Sequence, residues 1–258
     1  MESILYKVED SIAIITLNRP DKYNSFNREM ALRLQQRLNE ADENKNVRCL
    51  YLTGAGKAFC AGQDIAEVVD PAGPGMDKIL SEHFNPIITM IRNMPKPVVA
   101  AVNGVAAGAG ANIALSCDIT IATQSASFIQ AFSKIGLIPD SGGTYILPRL
   151  IGLQKATAFM MLGEKIAAAD AEKCGMIYKV FSDETFVVET MSIADTLAKL
   201  PTTALAYTKK TLNASLSNSL SEQLAEEDKY QQMAAKTNDF REGVTAFIEK
   251  RQAIFTGD

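Results

Sequence analysis

Val98-Val99-Ala100-Ala101-Val102-Asn103-Gly104-Val105-Ala106-Ala107-Gly108-Ala109-Gly110-Ala111-Asn112 passes from an unbroken apolar run, through a glycine-rich turn, into small residues compatible with a helix. A strand with one wet face would alternate polar and apolar residues, so the run predicts a strand over 97–103 covered on both faces. A short helix is expected from about Asn112. Glycines between a strand and a helix leave backbone N–H groups unpaired and let a ligand approach the main chain closely.

The same order recurs upstream. A strand is predicted over 47–53 and a glycine-bearing loop over 54–64, which contains Ala58-Phe59-Cys60-Ala61-Gly62-Gln63-Asp64. A helix over 77–93 follows, and downstream of the second loop comes a strand over 117–123. Alternating strands and helices predict an α/β fold with a largely parallel sheet. At the start, residues 4–8 and 11–17 are rich in β-branched residues and broken by Glu9-Asp10, the pattern of a hairpin. Met30, Leu34, Leu38 and Ala41 share one helical face, with Asn27 placed to cap it.

Beyond Pro201 the composition shifts to helix formers, dividing the chain into a core (1–200) and a helical subdomain (201–258). Ser219-x-x-Glu222 and Asp239-x-x-Glu242 read as capping boxes, and Phe240, Val244, Phe247 and Ile248 lie on one face of the last helix.

The 258 residues carry a net charge of −4, which argues against a nucleic-acid or anionic-membrane partner. No apolar run is long enough to cross a bilayer, and MESILYKVED does not read as a secretory or transit signal. Cys49, Cys60, Cys117 and Cys174 are widely spaced and no histidine cluster accompanies them, so the reading is reduced thiols in a cytoplasmic protein with no metal. The single histidine, His83, sits among polar neighbours and is expected to be a solvated surface residue rather than part of a Ser-His-Asp or Cys-His mechanism. Nucleotide motifs fail on inspection. Gly54-Ala55-Gly56-Lys57 lacks the following Ser or Thr of a phosphate loop, and Gly108-x-Gly110 has Ile113 at the third glycine position of a dinucleotide fingerprint.

The two glycine loops, with Ala131-Phe132-Ser133-Lys134-Ile135-Gly136-Leu137-Ile138-Pro139-Asp140-Ser141-Gly142-Gly143-Thr144, resemble the three signature regions of the crotonase (enoyl-CoA hydratase/isomerase) superfamily in order and separation. The resemblance begins at Leu17-Asn18-Arg19-Pro20 and runs to Glu242-Gly243, Phe247, Lys250 and Phe255, essentially the whole chain. It implies a spiral of ββα units, a C-terminal helical region used in trimerisation, and an acyl-CoA thioester as substrate with coenzyme A as its carrier and no prosthetic group. Homotrimers or dimers of trimers are expected. The backbone N–H groups of Gln63 and Ala109 match the family's oxyanion hole. Ala61 and Gln63 match the adenine-binding backbone, and Phe247 with Lys250 match the phosphate and adenine side, contributed within the chain or from a neighbouring subunit.

Family hydratases place two glutamates around the attacking water, and here those positions hold Asn112 and Phe132, neither of which titrates usefully. Asp140 falls where family isomerases carry a single catalytic carboxylate. Asp64, within Asp64-Ile65-Ala66-Glu67, reads instead as a structural cap. The expectation is an acyl-CoA isomerase that moves a proton or double bond, or opens a ring epoxide, in phenylacetate or fatty-acid degradation. The alternatives are a hydratase of altered mechanism and, from another class, a non-catalytic acyl-CoA-binding protein. Residues 69–76, rich in Pro and Gly, are expected to wall the acyl pocket.

Overall fold

The computed structural model describes residues 2–258. Hairpin β1 (Ile4–Glu9) and β2 (Ile12–Leu17) turns at Asp10 and Ser11, both left-handed with φ 46° and 64°, the two-residue turn whose twist matches paired strands. Helix α1 (Arg28–Glu43) follows, capped as expected by the Asn27 side chain, which accepts from Met30 N at 3.0 Å. Asn27→Ala should cost about 1 kcal/mol, read as a lower midpoint in urea with an unchanged slope.

From here the chain lays strands alternately into two sheets. β3 (Cys49–Gly54) joins the first sheet and β4 (Ala58–Cys60) the second, and α2 (Ile65–Val69), α3 (Gly75–Lys78) and α4 (Asn85–Asn93) return the chain. β5 (Val98–Val102) and β6 (Val105–Ala107) repeat the step and lead into α5 (Ala109–Ser116). β7 (Ile119–Thr123) and β8 (Ser127–Ile129) repeat it again, ahead of α6 (Gly143–Ile151) and α7 (Leu153–Leu162). The spiral ends with β9 (Lys165–Ala167), α8 (Ala168–Lys173) and β10 (Lys179–Phe181). The first sheet has the order β1-β2-β3-β5-β7-β10, parallel except for β1 against β2, and the second β4-β6-β8-β9.

Strand β5 shows why its sequence is apolar throughout. Val98, Ala100 and Val102 enter the main core with α1, α4 and α5, whereas Val99 and Ala101 face a second cluster containing Tyr51, Ile121 and, from α9 (Phe186–Lys199), Phe186, Ala194 and Ala198. A period of two with both faces covered leaves no polar position. Helices α10 (Thr202–Ser215), α11 (Leu220–Ala234) and α12 (Asn238–Glu249) complete the chain.

Four local expectations are corrected. The helix over 77–93 is interrupted by a π segment, Ile79–Phe84, in which Asn85 N reaches back to Leu80 O. Pro86 has no N–H to offer Glu82 O, and Gln35 Nε2 supplies the missing donor to Glu82 O at 2.7 Å and His83 O at 3.1 Å. Nor is His83 a solvated residue: it is fully buried, its Nε2 lies 3.2 Å from Arg28 Nη1, and burial lowers its pKa. Asp239 does not form a capping box. Thr237 caps α12 instead, while the Asp239 carboxylate, 3 % exposed, accepts from Thr256 N at 2.7 Å and Gly257 N at 2.8 Å. The fourth concerns Asp64-Ile65-Ala66-Glu67, which the sequence also suggests as a capping box: Asp64 caps α2 through Ala66 N as expected, but Glu67 does not close the box because both its oxygens are engaged elsewhere. The Ser219 box is present with both of its hydrogen bonds.

Candidate active site

Parallel pairing of β4 with β6 sets Cys60 beside Ala106 and so brings the two glycine loops together. On the first loop, Phe26 N donates to Gly62 O at 2.7 Å and Phe26 O accepts from Asp64 N at 2.8 Å. Both main-chain groups of Phe26 thus bond the neighbours of Gln63, and the Gln63 N–H is turned to the opposite side of the extended backbone. Gly62 N is spent on Cys60 Sγ at 3.3 Å. On the second loop, Gly108 N donates to Ile129 O at 2.8 Å, while Ala109, the first residue of α5, has no carbonyl one turn back to bond.

The close approach requires glycine at two points. A Cβ on Gly62, where φ is +92°, would lie 3.0 Å from Ala107 O and 3.5 Å from Ala109 N. One on Gly110 would meet Cys60 O at 2.4 Å, so the helix can seat against β4 only without a side chain there. Cys60 itself is fully buried and its thiol is pushed up to about 12, which leaves it without nucleophilic character beside the loop.

Asp140 precedes the left-handed pair Ser141 and Gly142, with φ 50° and 73°. This turn folds Ser141 Oγ back onto Asp140 Oδ1 at 2.8 Å. Burial raises the Asp140 pKa, and the Ser141 hydroxyl offsets part of that rise. The side chain lines a cavity of about 340 Å³ with Met76, Leu80, Leu137, Ile138 and Ser141. A carboxyl in such apolar company is held closer to its neutral form, which suits a group that must both take and return a proton.

Asn112 and Phe132 lie beside the second glycine loop and carry no titratable group. Asn112, 1 % exposed, donates from Nδ2 to Asp140 O at 2.9 Å. The Phe132 ring covers Gly108, whose Cβ would stand 3.6 Å from the ring edge.

A family model described as enoyl-CoA hydratase/isomerase matches residues 7–258. The chain belongs to the enoyl-CoA hydratase/isomerase family. It is 47% identical over 260 residues to the 1,2-epoxyphenylacetyl-CoA isomerase of Escherichia coli, covering 100% of this chain and 99% of that one. It is 44% identical over 255 residues to a probable enoyl-CoA hydratase of Rhodobacter capsulatus, covering 99% and 98%. Among solved structures, a putative enoyl-CoA hydratase/isomerase from Mycobacterium abscessus superimposes with a TM-score of 0.93 at 38% identity, covering 99% of this chain and 100% of that one.

Within this family member, Gln63 and Ala109 come together through their loops, and Asp140 is tied to α5 one turn from Ala109. Ala61 is exposed and its N–H is held by Tyr23 O at 2.9 Å. Phe247 and Lys250 are not joined to that loop by any hydrogen bond among the described residues. Phe247 is 85 % exposed, and with Phe240, Val244 and Phe255 it lines an open cavity of about 520 Å³ on α12. The residues that sequence reading passed over are Gln130 and Glu67. Gln130 Nε2 donates to Asn112 Oδ1 at 2.8 Å, and Glu67 accepts from Gln63 Nε2 at 2.8 Å and Arg28 N at 2.9 Å. Nothing local marks Gln130, since Asn112 stands 18 residues away on another element, whereas Glu67 was passed over as a partner of Gln63, four residues before it, because it was read as part of the Asp64 cap.

Proposed function

We propose that the protein is an acyl-CoA isomerase in which Asp140 is the single acid–base group and the Gln63 and Ala109 N–H groups hold the thioester oxygen. The observation that carries this reading is the position of Asp140 in an apolar cavity, its pKa raised by burial, while Asn112 and Phe132 take the places of the hydratase glutamates. The Asp140 carboxylate takes a proton from the carbon beside the thioester carbonyl, and the electron pair moves onto the carbonyl oxygen between the two N–H groups. For a 3-enoyl thioester the same carboxyl then returns the proton to C4, which leaves the double bond between C2 and C3. Atoms and charge balance with no other reactant.

The similarity to the Escherichia coli isomerase favours an aromatic epoxide thioester, and a place in phenylacetate breakdown, over a linear acyl chain. Coenzyme A would lie along Ala61 and Gln63. Phe247 and Lys250 would reach it from a neighbouring copy, in a homotrimer or a dimer of trimers whose interface uses the helical region 201–258. The reading as a cytoplasmic enzyme rests on the sequence. None of the described helices is long and apolar enough to cross a membrane.

The similarity to a probable hydratase keeps one competitor, water addition, and the test is direct. Purified protein is assayed on 3-enoyl-CoA, epoxyphenylacetyl-CoA and crotonyl-CoA. Turnover of either of the first two well above hydration of the third supports the proposal. Hydration that dominates overturns it, and binding with no turnover on any of the three favours a non-catalytic acyl-CoA-binding protein.

A further inference from the structure

Asn112 occupies a hydratase glutamate position, yet it is not idle. Its Nδ2 donates to Asp140 O at 2.9 Å, across 28 residues, and its Oδ1 accepts from Gln130 Nε2 at 2.8 Å. The carbonyl oxygen of Asp140 can only accept, so it fixes which end of the Asn112 amide faces it. That choice fixes which end of Gln130 faces Asn112, and leaves Gln130 Oε1 buried without a partner. Both amides are almost completely buried, at 1 % and 3 % exposed, and the start of α6 presses on the first of them, since a Cβ on Gly143 would fall 2.4 Å from Asn112 Nδ2. Asn112 also stands one helical turn after Ala109 on α5, with its N–H donating to Gly108 O at 3.2 Å.

We propose that Asn112 is a positioning residue for the isomerisation: its amide, held by Gln130, fixes the main chain of Asp140 against the helix that carries the Ala109 N–H. The proposal rests on the reading of Asp140 as the acid–base group. The amide sets the distance between the proton-carrying carboxyl and the oxyanion donors, and a shift of about 1 Å in such a spacing costs about 10²-fold in rate.

The test compares Asn112→Leu, Asn112→Asp and Asp140→Asn as full-length proteins, with circular dichroism and thermal melts to establish folding. Asn112→Leu removes, at similar volume, one of the two donors to Asp140 O and leaves only Gly143 N at 2.8 Å, so it should lower kcat about 10- to 100-fold with KM for the acyl-CoA unchanged. Asn112→Asp can replace the amide only while protonated, when its O–H donates to Asp140 O and its C=O accepts from Gln130. Its kcat relative to the wild type should therefore be nearest to one at low pH and fall as pH rises. The groups that face position 112 are Asp140, Gln130 and Gly143. Farther along α5 are the Cys60 thiol at Gly110, which stays protonated, and Arg92 at Ser116 O.

Asp140→Asn inactive, with both Asn112 variants at wild-type kcat across the pH range, overturns this inference and leaves the acid–base assignment standing. A rise in KM alone overturns it too, because Asn112 would then touch substrate rather than position Asp140. Full activity in Asp140→Asn overturns the acid–base assignment and this inference with it. Should Asn112→Leu not fold, the near-isosteric Asn112→Asp decides by its pH profile.

Discussion

Asp140→Asn is expected to lower the isomerisation rate by about 10²- to 10⁴-fold, the usual contribution of a positioned acid–base group, with little change in thioester affinity. The substitution keeps volume and can still receive the Ser141 hydroxyl that now bonds Oδ1. What it removes is the proton. Burial in the cavity it shares with Met76 and Leu80 raises the Asp140 pKa, so the acid limb of kcat in the wild type should lie above the ordinary carboxylate range near 3.8. Activity should rise with pH through that limb, because the carboxylate is the form that takes the first proton.

Linkage gives a second, opposite effect. A carboxyl whose pKa is higher in the folded than in the unfolded protein contributes stability that is full below the unfolded value and is lost as pH rises through the folded one. At neutral pH the ionised Asp140 therefore costs stability, and Asp140→Asn should melt at a higher temperature than the wild type. Slow, more stable protein is the signature of a strained catalytic carboxyl. Unchanged rate with unchanged melting would mean that Asp140 is a turn residue and nothing more.

The second large effect is on stability. Lys209 on α10 is 8 % exposed, and its Nζ donates to Asp118 Oδ2 at 2.8 Å and Ile91 O at 2.7 Å. Asp118 Oδ2 also accepts from Val98 N at 2.8 Å, at the entry to β5. Burial pushes the Asp118 pKa up and the Lys209 pKa down, and the charge of each partner opposes the shift of the other. Lys209→Leu leaves the Asp118 carboxylate, its side chain 20 % exposed, facing Val98 N–H with only Arg92 nearby, and should cost about 3 kcal/mol in chemical denaturation, the low end for breaking a buried pair because water still reaches the acid. That is a large share of the stability of an ordinary domain.

In this variant the Asp118 pKa rises further above its unfolded value, so the loss should grow as pH rises through the folded value and shrink in acid. Adding Asp118→Asn keeps an acceptor for Val98 N and removes the unpaired charge. The double variant should recover most of the loss. Equal stabilities of the single and double variants would show that the charge is not what the lysine compensates.

How much of this was legible beforehand differs element by element. The face of α1, its Asn27 cap, the two-sided burial of β5 and the N-terminal hairpin were all readable, because each is a local pattern of period or turn chemistry, although the turn falls at Asp10-Ser11, one residue later than Glu9-Asp10. The order of the two glycine loops and the third signature region likewise pointed to the family, and the identities at 112, 132 and 140 separated the candidate acid from the vacant hydratase positions. Helix α5 starts at Ala109 rather than near Asn112, because Gly108, at φ 52°, ends the strand segment abruptly.

What the chain could not announce by itself was the choice of polar partners across long separations. His83 is buried in the same turn where Pro86 withholds a donor from Glu82 O and Gln35, 47 residues away, supplies one. Asp239 is drawn off its helix cap by the returning C-terminal tail, and Glu67 off its box by Arg28 N, 39 residues away. The Gln130–Asn112–Asp140 chain exists only once α5, β8 and the turn before α6 are packed together. Period and propensity are written in neighbouring residues, so the alternation of helices with a largely parallel sheet could be read from the sequence alone, whereas the spiral was implied by the family resemblance. A buried polar group must take whichever partner the packed elements bring within about 3 Å, so only the tertiary structure decided which side chains hold the site in place.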